Sequence, residues 1–198
     1  MSAAAAVVLA AGASERLGRP KQLVPWGESN LLGHVTANTA AFDVEEVWVV
    51  LGCTADEIMA ETDFGDAGVV VNPEWEEGIA SSLRAGLDAL TRLSRCDTAV
   101  IVLGDQPDVS AVVVDELLAA HVGSGRPVTV PKYQHGWGNP VVVDRSLWER
   151  LMSLEGDEGA MRLWRAHPGW VNEVWFPDPP PGDVDTERDV NELAPRRA

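Results

Sequence analysis

The chain has 198 residues, 45% hydrophobic and 23% charged, a globular composition with enough length to bury a substantial core. Its formal net charge of −16 excludes binding of duplex DNA or RNA through a general electrostatic field. Binding of one nucleotide stays open, because charge is screened over about 8 Å and a local cluster of cations outweighs a distant acidic surface.

The predicted elements alternate. Residues 5–9 form a continuous apolar run suited to a central parallel strand, and 46–51, 68–71 and 98–103 repeat that pattern. Helices are expected over 31–41, over 55–61 behind the capping box Thr54-Ala55-Asp56-Glu57, over 79–93 and over 112–121. Within 79–93, Ile79, Leu83, Leu87, Leu90 and Leu93 recur at helical spacing along one face. Such alternation predicts an α/β fold with right-handed crossovers, a mostly parallel sheet, and ligands gathered at the carboxyl ends of the strands.

After Gly123 the rhythm changes to two strands, 128–131 and 140–143, joined by KYQHGWGN, a small antiparallel addition that shapes a second-substrate side. Short helices near 146–153 and 157–166, a strand over 171–176, a Pro/Gly-rich turn over 177–182 and a terminal helix from about Thr186 follow. No internal repeat or linker divides residues 1–198, so one domain is expected. Cys53 and Cys96 lack C-x-x-C spacing and suit free, buried thiols in a reducing cytoplasm. Met1 to Leu9 has neither the basic start of a leader nor the length to span a bilayer, so no membrane attachment is expected.

The first strand runs straight into Ala10-Ala11-Gly12-Ala13-Ser14-Glu15-Arg16-Leu17-Gly18-Arg19-Pro20-Lys21. Small residues let backbone N–H groups approach phosphate oxygens, and Arg16, Arg19 and Lys21 neutralise charge that those dipoles alone do not hold. Five residues separate Gly12 from Gly18, one more than a P-loop allows, no Lys-Ser/Thr follows, and no G-x-G-x-x-G is present. Asp105 immediately follows the strand TAVIVLG, where a carboxylate faces the crevice and can hold Mg²⁺ against triphosphate oxygens. Asp183 and Asp185, two apart in an extended segment, present both carboxylates on one side, although Asp185 also suits the N-cap of the last helix.

LAAGASERLGRPK resembles the signature loop of the MobA-like nucleotidyltransferase family, and PKQLVPWG resembles its molybdenum cofactor cytidylyltransferase branch. The likeness recurs in NPEWEEGIASSLRAGL (72–87), LGDQPDV (103–109), GNPVVV (138–143), GDEGA (156–160) and DVDTERD (183–189). It implies a three-layer Rossmann-like nucleotidyltransferase fold in which Asp105 and one aspartate of the DVDT block, taken as Asp185, share Mg²⁺. Ala10, Ala11, Gly12, Ser14, Gly78 and Ser82 would lie against the nucleotide, Ser82 alternatively being an ordinary first-turn residue. Asn139, Asp157 and Arg162 would face the acceptor. Asn139 stands where the branch usually has His, and Met161 interrupts G-D-x-G-A-R before Arg162.

The implied chemistry is in-line attack of a phosphate monoester on the α-phosphorus with loss of pyrophosphate, which needs positioning and charge stabilisation rather than a covalent nucleophile. Arg16 would bind the leaving β- and γ-phosphates and Lys21 the charge around the α-phosphate, with Arg19 a solvated cation. No G-x-S-x-G elbow is present, and His34, His121, His135 and His167 show no metal-ligand spacing with the cysteines. Three readings follow. One is a cytidylyltransferase taking CTP and molybdopterin, with transient contact to a molybdoenzyme. The others are a guanylyltransferase or NTP transferase with another phosphorylated acceptor, and a non-catalytic cofactor-binding chaperone. Trp137 suits either stacking on a pterin or packing.

Overall fold

The computed structural model describes residues 3–134, 136–156 and 160–195. The chain runs through β1 (Ala4–Leu9), the hairpin β2 (Pro25–Trp26) and β3 (Ser29–Asn30), α1 (Leu31–Thr39), β4 (Glu46–Leu51), α2 (Ala55–Glu61) and β5 (Gly68–Val71). It continues through α3 (Ile79–Leu93), β6 (Thr98–Leu103), α4 (Ala111–Ser124), β7 (Val128–Tyr133), β8 (Gly136–Trp137) and β9 (Val141–Asp144). The last elements are α5 (Trp148–Met152), α6 (Ala160–Ala166), β10 (Val171–Trp175) and α7 (Glu187–Leu193).

The main sheet has the order β10-β7-β9-β6-β1-β4-β5, with β8 pairing β7 beside it. β1 lies parallel to both β4 and β6, and β4 is parallel to β5. The antiparallel addition is β9, which inserts between β6 and β7 and opposes both, while β10 runs parallel to β7. Because β9 is reversed, its first residue, Val141, pairs with Ile101 near the carboxyl end of β6. That reversal delivers the segment before β9 to the edge where β1, β4 and β6 end.

All six residues of β1 are buried, and they alternate between two cores. Ala6 and Val8 join α1, α2 and α4 through Leu31, Val35, Ile58 and Leu117 on one face. Ala5, Val7 and Leu9 join α3, α5 and α6 through Leu83, Leu87, Leu151 and Trp164 on the other. A strand with both faces covered must be apolar at every position, which is why the run lacks polar alternation. The result is the expected α/β three-layer, Rossmann-like architecture, mostly parallel with a small antiparallel part.

Several local expectations need correction. Thr54 does not cap α2 with its side chain: its φ is 54°, in the left-handed region, whereas a capping hydroxyl needs an extended backbone. The loop before α2 is shaped instead by the β1 loop, through the Cys53 N–H donating to the Ala11 carbonyl at 3.0 Å. The apolar stripe of α3 is buried at Leu83, Leu87 and Leu90, but Leu93 is 68% exposed where the helix runs past the sheet. Cys96 is buried and Cys53 only half-buried, both as free thiols. The last helix is capped by Thr186 rather than Asp185, with Thr186 and Asp189 forming a reciprocal capping box. Among the described residues, no helix is long and apolar enough to cross a membrane.

Candidate functional site

The loop after β1 is held by a side chain that the sequence reading passed over, Gln22. It is buried, and its amide donates to the carbonyls of Ala10 (2.8 Å) and Gly12 (3.1 Å). Its Oε1 accepts from the Ser14 hydroxyl at 3.3 Å, and Ser14 Oγ in turn accepts the Lys21 N–H at 3.0 Å. Ser14 has a φ of 58°, so the chain turns sharply there. Among the described residues no acceptor meets the backbone N–H groups of residues 12–16. An arc of unpaired donors in a sharp turn is a ready cradle for phosphate oxygens. Gln22 follows Lys21 directly, and the signal that could have found it was a polar amide between Lys21 and the apolar Leu23-Val24.

Ala10 and Ala11 are buried where the loop begins. The Ala10 N–H donates to the Val50 carbonyl at 2.9 Å, and the Ala11 carbonyl receives Cys53. Those groups tie the loop to β4, so the Ala10 N–H has no proton to offer a base. Gly104 sits opposite: a Cβ there would stand 2.8 Å from Ala10 Cβ and 3.0 Å from the Leu9 carbonyl, so only glycine lets the Asp105 turn approach the loop this closely.

Lys21 is where the loop meets the aspartates. Its Nζ lies 2.6 Å from Asp105 Oδ2 and 3.1 Å from Asp185 Oδ1, and all three side chains are less than 20% exposed. Arg16, 72% exposed, pairs with Asp185 Oδ2 at 2.8 Å. A largely solvated guanidinium is held weakly, by about 1 kcal/mol at most, and is free to turn toward an arriving anion. Arg19 pairs with Glu187 at 2.9 Å on the surface, away from this cluster. The C-terminal segment is docked by the Val184 N–H donating to the Asp105 carbonyl at 2.9 Å and by the Gln106 amide donating to Asp183 Oδ1 at 2.7 Å. Thus Asp185, not Asp183, reaches Lys21.

Burial disfavours the Lys21 ammonium, yet Asp105 and Asp185 more than offset it and its pKa is raised. Burial also pushes the Asp105 carboxyl above its ordinary value; Lys21 opposes that shift, while the carboxylates of Asp183 and Asp185 add to it. The two directions are compatible, because one ammonium is shared among crowded carboxylates. Asp105 Oδ1 is buried and meets no donor among the described residues. An oxygen left in that state is suited to a divalent cation. Among the described residues no group of three or more His, Cys, Asp or Glu has metal-holding geometry. Two carboxylates completed by phosphate oxygens match the way hard cations bind with nucleotides.

The Gly78 to Ser82 segment opens α3. Gly78 has a φ of 99°, which a side chain would strain, and its carbonyl accepts from Ser81 Oγ at 2.8 Å. Asn72, buried after β5, donates to Ser81 Oγ (2.8 Å) and Ser82 Oγ (3.2 Å). Ser82, in the first turn of α3, is therefore part of a buried polar cluster.

On the second-substrate side, Asn139 precedes β9, and its carbonyl accepts from the Tyr133 hydroxyl at 3.2 Å. Burial pushes the Tyr133 pKa up to about 12, so this donor keeps its proton. Arg162 lies exposed on α6. Asp157 and His135 fall outside the described residues, as does the start of the helix expected near 157. Trp137 donates its indole N–H to Glu173 at 2.7 Å, alongside the Lys132–Glu173 pair at 2.6 Å, a packing arrangement on β7, β8 and β10.

Comparison with known proteins finds relatives in sequence and in fold. A sequence model described as the MobA-like NTP transferase domain matches residues 6–171. Nicotine blue oxidoreductase of Paenarthrobacter nicotinovorans is 32% identical over 94% of this chain and 94% of its own length. The crystal structure of Rv0371c from Mycobacterium tuberculosis H37Rv superposes with a TM-score of 0.86 at 34% identity, covering 98% of this chain and 99% of that one. Its complex with manganese gives a TM-score of 0.81 at 30% identity, covering 98% of each chain.

Proposed function

The chain belongs to the MobA-like NTP transferase family, and from that premise we propose that it transfers CMP from CTP to the phosphate of a molybdopterin-type acceptor, releasing pyrophosphate. The observation that carries this reading is the Lys21–Asp105–Asp185 cluster at the foot of an N–H-lined loop. An ammonium has three N–H donors, and Lys21 commits two of them to carboxylates, leaving one for an α-phosphate oxygen. Residues 12–16 offer N–H groups to the β- and γ-phosphates, and Arg16 turns from Asp185 to the departing pyrophosphate.

Asp105 and Asp185 would hold Mg²⁺, which when bound supplies charge neutralisation and Lewis acidity at the phosphates. The manganese complex of Rv0371c supports a divalent cation in a relative. Small residues at Ala10, Ala11 and Gly78, beside the Asn72–Ser82 cluster, favour a pyrimidine over a purine. Asn139, Asp157 and Arg162 would face the acceptor. The protein would act in a reducing cytoplasm as one domain, with transient contact to a molybdoenzyme.

The test is pyrophosphate release from CTP and GTP, each with and without molybdenum-loaded molybdopterin. CTP preference of about 10⁴, the discrimination that unpaired buried polar groups can provide, supports the cytidylyl reading. GTP preference moves the chain to the guanylyl branch, and turnover only with another phosphate monoester changes the acceptor. No turnover with any triphosphate leaves the cofactor-binding chaperone.

A second reading rests on a relative that matches over 94% of both chains and is named nicotine blue oxidoreductase. Under it the loop binds a nucleotide-containing redox partner. Reduction of nicotine blue by an added hydride donor, with no pyrophosphate release in the same preparation, would select it.

A further inference from the structure

Gln106 directly follows Asp105 in the turn after β6 and is buried, only 6% exposed. Its Nε2 donates to Asp183 Oδ1 at 2.7 Å across 77 residues of chain, while Asp183 itself stands exposed. One residue along, the Val184 N–H donates to the Asp105 carbonyl at 2.9 Å. Residues 105–106 thus grip residues 183–184 at two points, and Asp185 is the next residue beyond the grip.

The grip has a cost that the fold alone does not explain. Gln106 Oε1 is buried and meets no donor among the described residues. The amide cannot relieve this by turning over, because its oxygen would then face the Asp183 carboxylate, one acceptor against another. A buried acceptor without a partner is rare and destabilising, and an apolar side chain of the same length would avoid it. What the amide does that a hydrocarbon cannot is hold Asp183. Asp183 and Asp185 both lie close enough to press on the Asp105 carboxyl with their charge, yet only Asp185 reaches Lys21, at 3.1 Å. A neutral side chain therefore decides between two carboxylates that charge alone does not distinguish.

We propose that Gln106 is a positioning residue: by holding Asp183 against the turn that carries Asp105, it fixes Asp185 beside Asp105 and sets the spacing of the two carboxylates assigned to the divalent cation. The inference rests on that assignment of Asp105 and Asp185. Gln106 acts through Asp183 and not through contact with metal or nucleotide.

The experiment uses the full chain, with Mn²⁺ alone as the probe, its binding read by electron paramagnetic resonance. Hydrogen exchange at the Val184 amide, followed by NMR, and thermal unfolding are read beside it. Gln106→Met should weaken Mn²⁺ binding about tenfold, the factor expected from one net hydrogen bond, and speed exchange at Val184. Its melting temperature should not fall, because the unpaired acceptor goes with the hydrogen bond. Asp183→Asn keeps an oxygen for Gln106 and Asp183→Leu does not. The two remove the same charge, so about tenfold tighter Mn²⁺ binding by Asp183→Asn reads the hydrogen bond alone. Gln106→Met combined with Asp183→Leu should bind no more weakly than Asp183→Leu, as two ends of one interaction require. Where Gln106→Met fails to fold, the Asp183 pair decides the question by itself. Unchanged Mn²⁺ affinity or Val184 exchange in Gln106→Met, or equal affinities in Asp183→Asn and Asp183→Leu, overturns the proposal and leaves the metal assignment standing. Absence of Mn²⁺ binding by the wild type removes both.

Discussion

Lys21 Nζ and Asp105 Oδ2 lie 84 residues apart in sequence and 2.6 Å apart in space, joining the loop after β1 to the turn after β6. The ammonium stands between the two carboxylates suited to a divalent cation, so one charge balances both until metal and nucleotide arrive together.

Removing that ammonium has opposite effects on metal and on turnover. Lys21→Ala leaves Asp105 and Asp185 without their shared counter-charge, and Mn²⁺ should bind about tenfold more tightly without nucleotide, as followed by electron paramagnetic resonance. Turnover should drop by about 10²–10³, in kcat more than in KM, because the contact strengthens as charge develops. Unchanged Mn²⁺ affinity would show that the carboxylates do not share a metal.

Asp105→Ala should abolish metal-dependent nucleotide binding while leaving a folded protein. The side chain is desolvated and one of its oxygens is unsatisfied, so the fold gains little from it. Calorimetric titration with CTP and Mg²⁺ beside circular dichroism checks both parts, and wild-type nucleotide affinity would remove Asp105 from the site.

Gln22→Leu should destabilise the chain by about 2 kcal/mol, since the buried Ala10 carbonyl and the more exposed Gly12 carbonyl both lose their donor. The loop then loses its shape, and KM for the triphosphate should rise. Denaturant unfolding and steady-state kinetics separate the two effects, and an unaltered KM would mean that the loop holds its form without Gln22.

Thr186→Ala should cost about 1 kcal/mol, the usual cost of losing an N-cap. Asp185→Ala should leave the cap intact, with its loss read in nucleotide and metal binding. The reverse pattern in urea unfolding would restore Asp185 as the cap.

His121 sets a pH dependence of stability. Burial holds its imidazole pKa below 6.5, partly opposed by Asp144, and Nδ1 lies 3.1 Å from Thr129 Oγ1. The unfolded chain binds the proton more tightly, so this contribution is present above pH 6.5 and is lost as pH falls through and below that value. Melting temperatures between pH 5 and pH 8 should vary less in His121→Gln than in the wild type. Parallel curves would show that His121 does not drive the change.

The alternation of apolar runs and helical stripes determined the α/β class by itself, because a strand covered on both faces must be apolar along its length, and 5–9 and 99–103 are. Chain order also placed the cation loop and Asp105 at strand ends. Tertiary structure decided the rest. That β9 slips between β6 and β7, and that Asp185 rather than Asp183 reaches Lys21, depend on contacts between distant segments. Local sequence describes what a carboxylate can do. Which partner it meets depends on the docking of Val184 against Asp105, and no periodicity within the C-terminal segment encodes that contact.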